Sequence, residues 1–141
     1  MRLGLKILYG LYLLILSGID IRKKKIHIAA LLTGAVFAPL FILSDNDASC
    51  EKYILGIIPG VVFFFISLAS RGQVGMADAG IILCIGICTG IGGIVSILAV
   101  SFIAIALTAI FLLATKKLGR KSSLPFIPFL FLGYIVSVFF I

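Results

Sequence analysis

Ala79 to Thr115 reads AGIILCIGICTGIGGIVSILAVSFIAIALTAIFLLAT, 37 residues without a single charge. Roughly 20 apolar residues carry a helix across the hydrocarbon core of a bilayer, so this run is too long for one ordinary span. Thr89-Gly90-Ile91-Gly92-Gly93 lies near its first third, and clustered glycines are where a chain turns. The run therefore divides into a short span and a longer one. Lipid is the solvent for both.

The flanking sequence repeats the pattern. Apolar stretches run from Leu3 to Ile19, from Ile26 to Leu43, from Tyr53 to Ala69 with Pro59 as a kink site, and from Leu124 to Ile141. Of the 141 residues, 62% are hydrophobic and 12% charged, where a soluble domain is closer to half apolar and a quarter charged. The expected fold is all-α, a polytopic membrane bundle of about six transmembrane helices, forming one domain over residues 1–141. Arg2 and Lys6 ahead of an apolar stretch look like a signal peptide, but no small-residue cleavage site follows. A charged cluster of the stop-transfer kind, Asp20 to Lys25, follows instead, so the first span is retained.

The net charge of +7 is spread as short clusters between apolar runs, without an extended basic face. That distribution excludes nucleic acid as a partner and fits membrane orientation and contact with anionic headgroups. With six spans, one side carries Arg22, Lys23, Lys24, Lys25, Arg71, Lys116, Lys117, Arg120 and Lys121, and the other carries Arg2, Lys6 and Lys52. The first side is cytoplasmic by the positive-inside rule, which places both termini outside a multi-pass protein of the cell (inner) membrane. Cys84 and Cys88 are four apart on one helix face, Cys50 stands alone, and the single histidine is His27. This set predicts no metal, no cofactor and no disulfide framework.

Just ahead of the long run stands Arg71-Gly72-Gln73-Val74-Gly75-Met76-Ala77-Asp78-Ala79-Gly80, a glycine-containing turn ending in a carboxylate. A carboxylate at the mouth of a membrane segment is costly unless water, a partner or a proton compensates it. Two crossings separate Asp78 from Asp20, so both emerge on the cytoplasmic face; the other acids, Asp45, Asp47 and Glu51, share the external loop, read as exposed and solvated. Two carboxylates held close in a partly desolvated site cannot both ionise easily, and the pair keeps one proton. One group can then take a proton from water while the other donates to a scissile carbonyl oxygen. Gly75 supplies backbone freedom and lets an extended substrate approach closely. Two structural alternatives stand beside this chemistry: Asp20 neutralised by Arg22 or Lys24, and Asp78 as the N-terminal cap of its helix.

Three separated segments carry a family likeness: Asp20-Ile21-Arg22-Lys23-Lys24-Lys25-Ile26-His27, Gly75-Met76-Ala77-Asp78, and Leu124-Pro125-Phe126-Ile127-Pro128-Phe129-Leu130-Phe131-Leu132-Gly133. In content, order and spacing they resemble the type IV prepilin peptidase family, the membrane aspartic proteases with a GxGD signature. The likeness departs at Ala77, where the signature has glycine, at Gly80, where lysine is frequent, and at His27-Ile28, where Pro-Asn is usual. The cysteine-bearing domain of the bifunctional members is absent, so the chain resembles the short members that lack an N-methyltransferase domain. The resemblance implies an aspartic endopeptidase of type IV pilus or secretion systems. It would cut the basic leader from prepilin-like membrane proteins at the cytoplasmic face, with Asp20 and Asp78 catalytic and Gly75, Met76 and Ala77 against the substrate.

Two rival functions remain at this level: a small transporter or channel subunit whose carboxylates bind a cation or relay protons, and a catalytically silent assembly factor for a pilus or secretion system. Gly56-xxx-Gly60 and Gly86-xxx-Gly90 are read as helix-packing patterns inside the bundle. Phe63-Phe64-Phe65 is read as lipid-facing and packing bulk, and His27 receives no role. The precursor that is cut and the oligomeric state are not encoded in any of these features.

Overall fold

The computed structural model describes residues 2–23, 28–46, 49–71, 75–117 and 124–140. Lys24, Lys25, Ile26, His27, Asp47, Gly72, Gln73, Val74, Arg120, Lys121 and Ile141 lie outside them. The described residues form five α-helices: α1 (Arg2–Lys23), α2 (Ile28–Leu43), α3 (Cys50–Ala69), α4 (Met76–Ala114) and α5 (Ile127–Phe140). Helices α1, α3 and α4 are long and apolar enough to cross a membrane, and α2 and α5 are shorter apolar helices.

The count differs from six because the expected fourth and fifth spans are one element. α4 is 39 residues long and is broken at Gly90, whose φ of 72° lies in the left-handed region, which glycine enters without a Cβ clash. The break reverses the chain. Leu83 packs against Gly60 of α3, while Phe102 stacks on Phe63, one turn further along α3, with ring centroids 5.8 Å apart. A straight helix would separate Leu83 from Phe102 by about 28 Å. The glycine cluster anticipated as a turn is therefore where α4 folds back on itself.

The core follows helical periodicity. Tyr9, Leu13, Leu16 and Asp20 fall on one buried stripe of α1, the spacing that lines up one helix face. They meet Ile81, Ile82, Ile85, Ile94 and Ile97 of α4 and Ile127, Leu130 and Tyr134 of α5. The opposite face of α1, with Leu3, Leu11 and Ile15, is exposed, as a lipid-facing surface requires. Lipid is as apolar as these side chains, so close packing matters more here than removal from water. The two glycine patterns provide that closeness: Gly56 faces Gly86 and Gly90, with backbone against backbone. Tyr9 adds an aromatic junction, its ring 5.5 Å from both Phe37 of α2 and Tyr134 of α5.

Contacts along α1 set the two ends of the bundle. The Tyr134 hydroxyl donates to the Lys6 carbonyl at 3.1 Å, and the Ile127 N–H donates to Asp20 at 3.4 Å. α1 and α5 are thus antiparallel, with Asp20 and the start of α5 at one end and Lys6 at the other.

Candidate active site

Asp20 projects from the last turns of α1 and is only 8% exposed. Its Oδ2 accepts the backbone N–H of Ile127, at the first position of α5. Asp78 lies in the first turn of α4 and is half-buried. The structure brings the two carboxylates together: burial and the charge of Asp20 are what act electrostatically on Asp78.

The N-cap of α4 is Gly75, not Asp78. The Gly75 carbonyl accepts the N–H groups of Asp78 and Ala79 at 3.1 and 3.4 Å. Gly75 has φ −63° and ψ 128°, an ordinary conformation for any residue, so the backbone freedom expected of it is not what the site uses. Space is what it provides. A Cβ at position 75 would stand 3.0 Å from the Asp78 Oδ2, so the missing side chain is the room in which the Asp78 carboxylate lies. Met76 is exposed and Ala77 half-buried beside it, at the mouth of the site. The side chain at position 77 faces no turn that only glycine can adopt, because it lies inside α4.

Two features were not found in the sequence. One is the Ile127 N–H on Asp20. The other is an aromatic cluster that includes the neighbouring Phe126: Phe63 packs inward and stacks on Phe102 and Phe126, which are tilted against each other, with ring centroids 5.8 to 6.5 Å apart. Phe64 and Phe65 face outward as expected. The Pro-Phe segment before α5 was the available signal for both, since Phe126 and Ile127 belong to it.

The opposite end holds a different carboxylate. Lys52 Nζ lies 3.8 Å from Asp45 Oδ2, and the Tyr53 hydroxyl donates to the same oxygen. Asp45 is therefore held in a network and is not the freely solvated loop residue expected. A cavity of about 310 Å³ opens beside it, with Lys6, Thr89, Ser96 and Tyr134 in its wall.

The protein is all-helical among the described residues, with apolar helices long enough to cross a membrane, and it carries one carboxylate in the last turns of α1 and another in the first turn of α4. The family model for type IV leader peptidases matches residues 7–113, most of the chain and both aspartates, and the chain belongs to the type IV leader peptidase family. Comparisons with curated proteins and with solved structures returned no match.

Proposed function

We propose that the protein is an aspartic endopeptidase that removes the basic leader from prepilin-like membrane precursors at the cytoplasmic face of the cell membrane. The observation that carries this reading is the approach of Asp20 and Asp78, whose charges act on each other in a largely buried site. Such a pair retains one proton. The ionised carboxylate takes a proton from water as the water oxygen bonds to the scissile carbon. The protonated carboxyl gives its proton to the carbonyl oxygen, which yields a neutral gem-diol. When the C–N bond breaks, the first group protonates the departing amine and the second recovers its proton from a hydroxyl. Neither a metal nor a serine or cysteine nucleophile enters this cycle.

Counting the two arms of α4 separately gives six passes of one domain. Arg22 and Lys23 end α1, Arg71 follows α3, and Lys116 and Lys117 follow α4. These positions support an orientation with the aspartates at the cytoplasmic face, both termini outside and the basic residues on anionic headgroups. A basic leader is repelled by those same loops, so the apolar helix of the precursor supplies most of the binding. Gly75, Met76 and Ala77 lie at the mouth where the extended segment ahead of that helix would pass.

The test is cleavage of a co-expressed candidate precursor in membranes by wild type, Asp20→Asn and Asp78→Asn. Cleavage by the wild type and by neither variant, at equal membrane levels, is expected. Equal processing by all three would make the aspartates structural, and an ion flux lost in Asp78→Asn would turn the reading to transport.

A further inference from the structure

We infer that the backbone N–H of Ile127 positions Asp20 and divides the labour of the pair: Asp20 is the carboxylate that takes the proton from water, and Asp78 is the acid that donates to the carbonyl oxygen. The division rests on the peptidase reading above and goes one step into it. Both aspartates lie near a helix N-terminus, Asp78 of its own helix and Asp20 of α5, so the helix dipole alone does not separate them. The donated N–H does. Asp20 is nearly enclosed and receives it. A hydrogen bond to the charged form of a carboxylate favours that form, so of the one proton the pair retains, the donor on Asp20 leaves it to Asp78.

The start of α5 is built to aim that one donor. Pro128 has no N–H, and Phe129 and Leu130 donate to the Phe126 carbonyl at 3.1 and 3.2 Å. Of the first turn, the Ile127 N–H is left to meet Asp20. The Ile127 side chain is fully buried, which fixes the direction of its N–H. Two prolines three apart thus do more than begin a helix; they frame one hydrogen-bond donor opposite one carboxylate. Ile127 is a positioning residue that acts through Asp20.

Titratable and charged groups near Asp20 come from several elements. Arg22 and Lys23 follow it on α1 with exposed side chains. α2 carries no titratable residue, and α5 carries only Tyr134, which is bonded at the Lys6 end. Asp78 is the titratable neighbour from α4. A hydrogen bond to the charged form of a carboxylate favours that form, so losing it makes Asp20 protonate at a higher pH.

The experiment compares rate–pH profiles of purified wild type, Ile127→Pro and Ile127→Ala in proteoliposomes with a candidate precursor. Proline at the first helical position keeps the helix start and removes the donor, whereas alanine removes the side chain and keeps the donor. The acidic limb of Ile127→Pro is expected to move up by about one pH unit, with the alanine variant on the wild-type limb. Coincident limbs for the two variants overturn the inference. If Ile127→Pro does not accumulate, a backbone ester at position 127, made with the α-hydroxy analogue of isoleucine, carries the same expectation and the same refutation. A wild type that does not cleave defeats the peptidase reading, and the role of the N–H is then read without substrate. A carbodiimide reacts with protonated carboxyl groups. Labelling of Asp20 should reach a higher pH in the donor-free protein than in Ile127→Ala, and identical labelling overturns the inference even in an active enzyme.

Discussion

The two ends of the bundle treat a carboxylate in opposite ways. At one end Asp45 is matched by the Lys52 ammonium and the Tyr53 hydroxyl, and α3 and α4 pack backbone to backbone through Gly56, Gly86 and Gly90. At the other end Asp20, in the last turns of α1, and Asp78, in the first turn of α4, are near enough for charge to act between them. Opposite charges brought together stabilise a fold. Like charges brought together in a buried place are an expense that folding alone does not explain. On the proposed function, the difference separates an end that holds the protein together from the end where the chemistry would take place.

The sharpest way to break this contrast is to neutralise one carboxylate at each end. Asp20→Asn or Asp78→Asn should lower cleavage by about 10³-fold or more, the scale of a lost general acid or base, with the protein still reaching the membrane. Asp45→Asn should leave the cleavage rate near that of wild type and lower the unfolding temperature. A strong loss of activity in Asp45→Asn at normal stability would show that both ends serve the chemistry.

The reverse experiment is made on glycine. A Cβ at Gly56 meets the carbonyl of Gly86, and one at Gly90 meets the Lys52 stem. Backbone cannot step aside as a flexible side chain can, so Gly56→Leu should destabilise the bundle by about 3 kcal/mol, the upper range for overpacking. Thermal unfolding in detergent checks it. A stable Gly56→Leu protein would mean that α3 and α4 do not meet as closely as described.

Gly75→Ala lies between these extremes and tests the working end. The added methyl stands 3.0 Å from the Asp78 Oδ2, so the carboxylate must move by a few tenths of an ångström while the backbone, at φ −63°, accepts alanine without strain. Cleavage should fall by about tenfold, because catalytic groups tolerate small displacements poorly. Stability should not change. A stability loss with unchanged kcat would place the role of Gly75 in the fold.

How far the sequence disclosed this arrangement depended on distance along the chain. The charge-free run from Ala79 to Thr115 announced a membrane protein, and its glycine cluster marked the reversal at Gly90, because length and local backbone freedom are properties of a single stretch. The parity of crossings and the scarcity of acids put Asp20 and Asp78 at the same end, where the charge of one acts on the other. The Ile127 N–H was not legible, since it reaches Asp20 from 107 residues away and a backbone donor leaves no mark on residue type. Gly75 was noticed for the wrong property: its identity suggests unusual dihedrals, and only the position of the Asp78 carboxylate shows that space is what matters. The inward turn of Phe63 among three consecutive phenylalanines is set by Phe102 and Phe126, which belong to other elements. Asp45 looked solvated because Tyr53, eight residues on, comes back to it only through the start of α3.

The smallest expected effect asks what holds the Asp45 end: charge or packing. The Lys52–Asp45 distance of 3.8 Å is long for an ion pair, and the lysine side chain is half exposed. A pair of that kind contributes below about 1 kcal/mol and less at high salt. The stem of Lys52 has a second use, since it lies over Gly90 where α4 reverses, and a long side chain stabilises through its methylenes as well as its charge. Lys52→Met keeps the stem and removes the charge, and Lys52→Ala removes both. Unfolding of Lys52→Met should stay within about 0.5 kcal/mol of wild type, with Lys52→Ala lower and insensitive to salt. If instead the two variants fall together, and by less in high salt, charge pairing holds that end. The contrast would then be one between opposite and like charges alone, with the close-packed glycines contributing nothing to it.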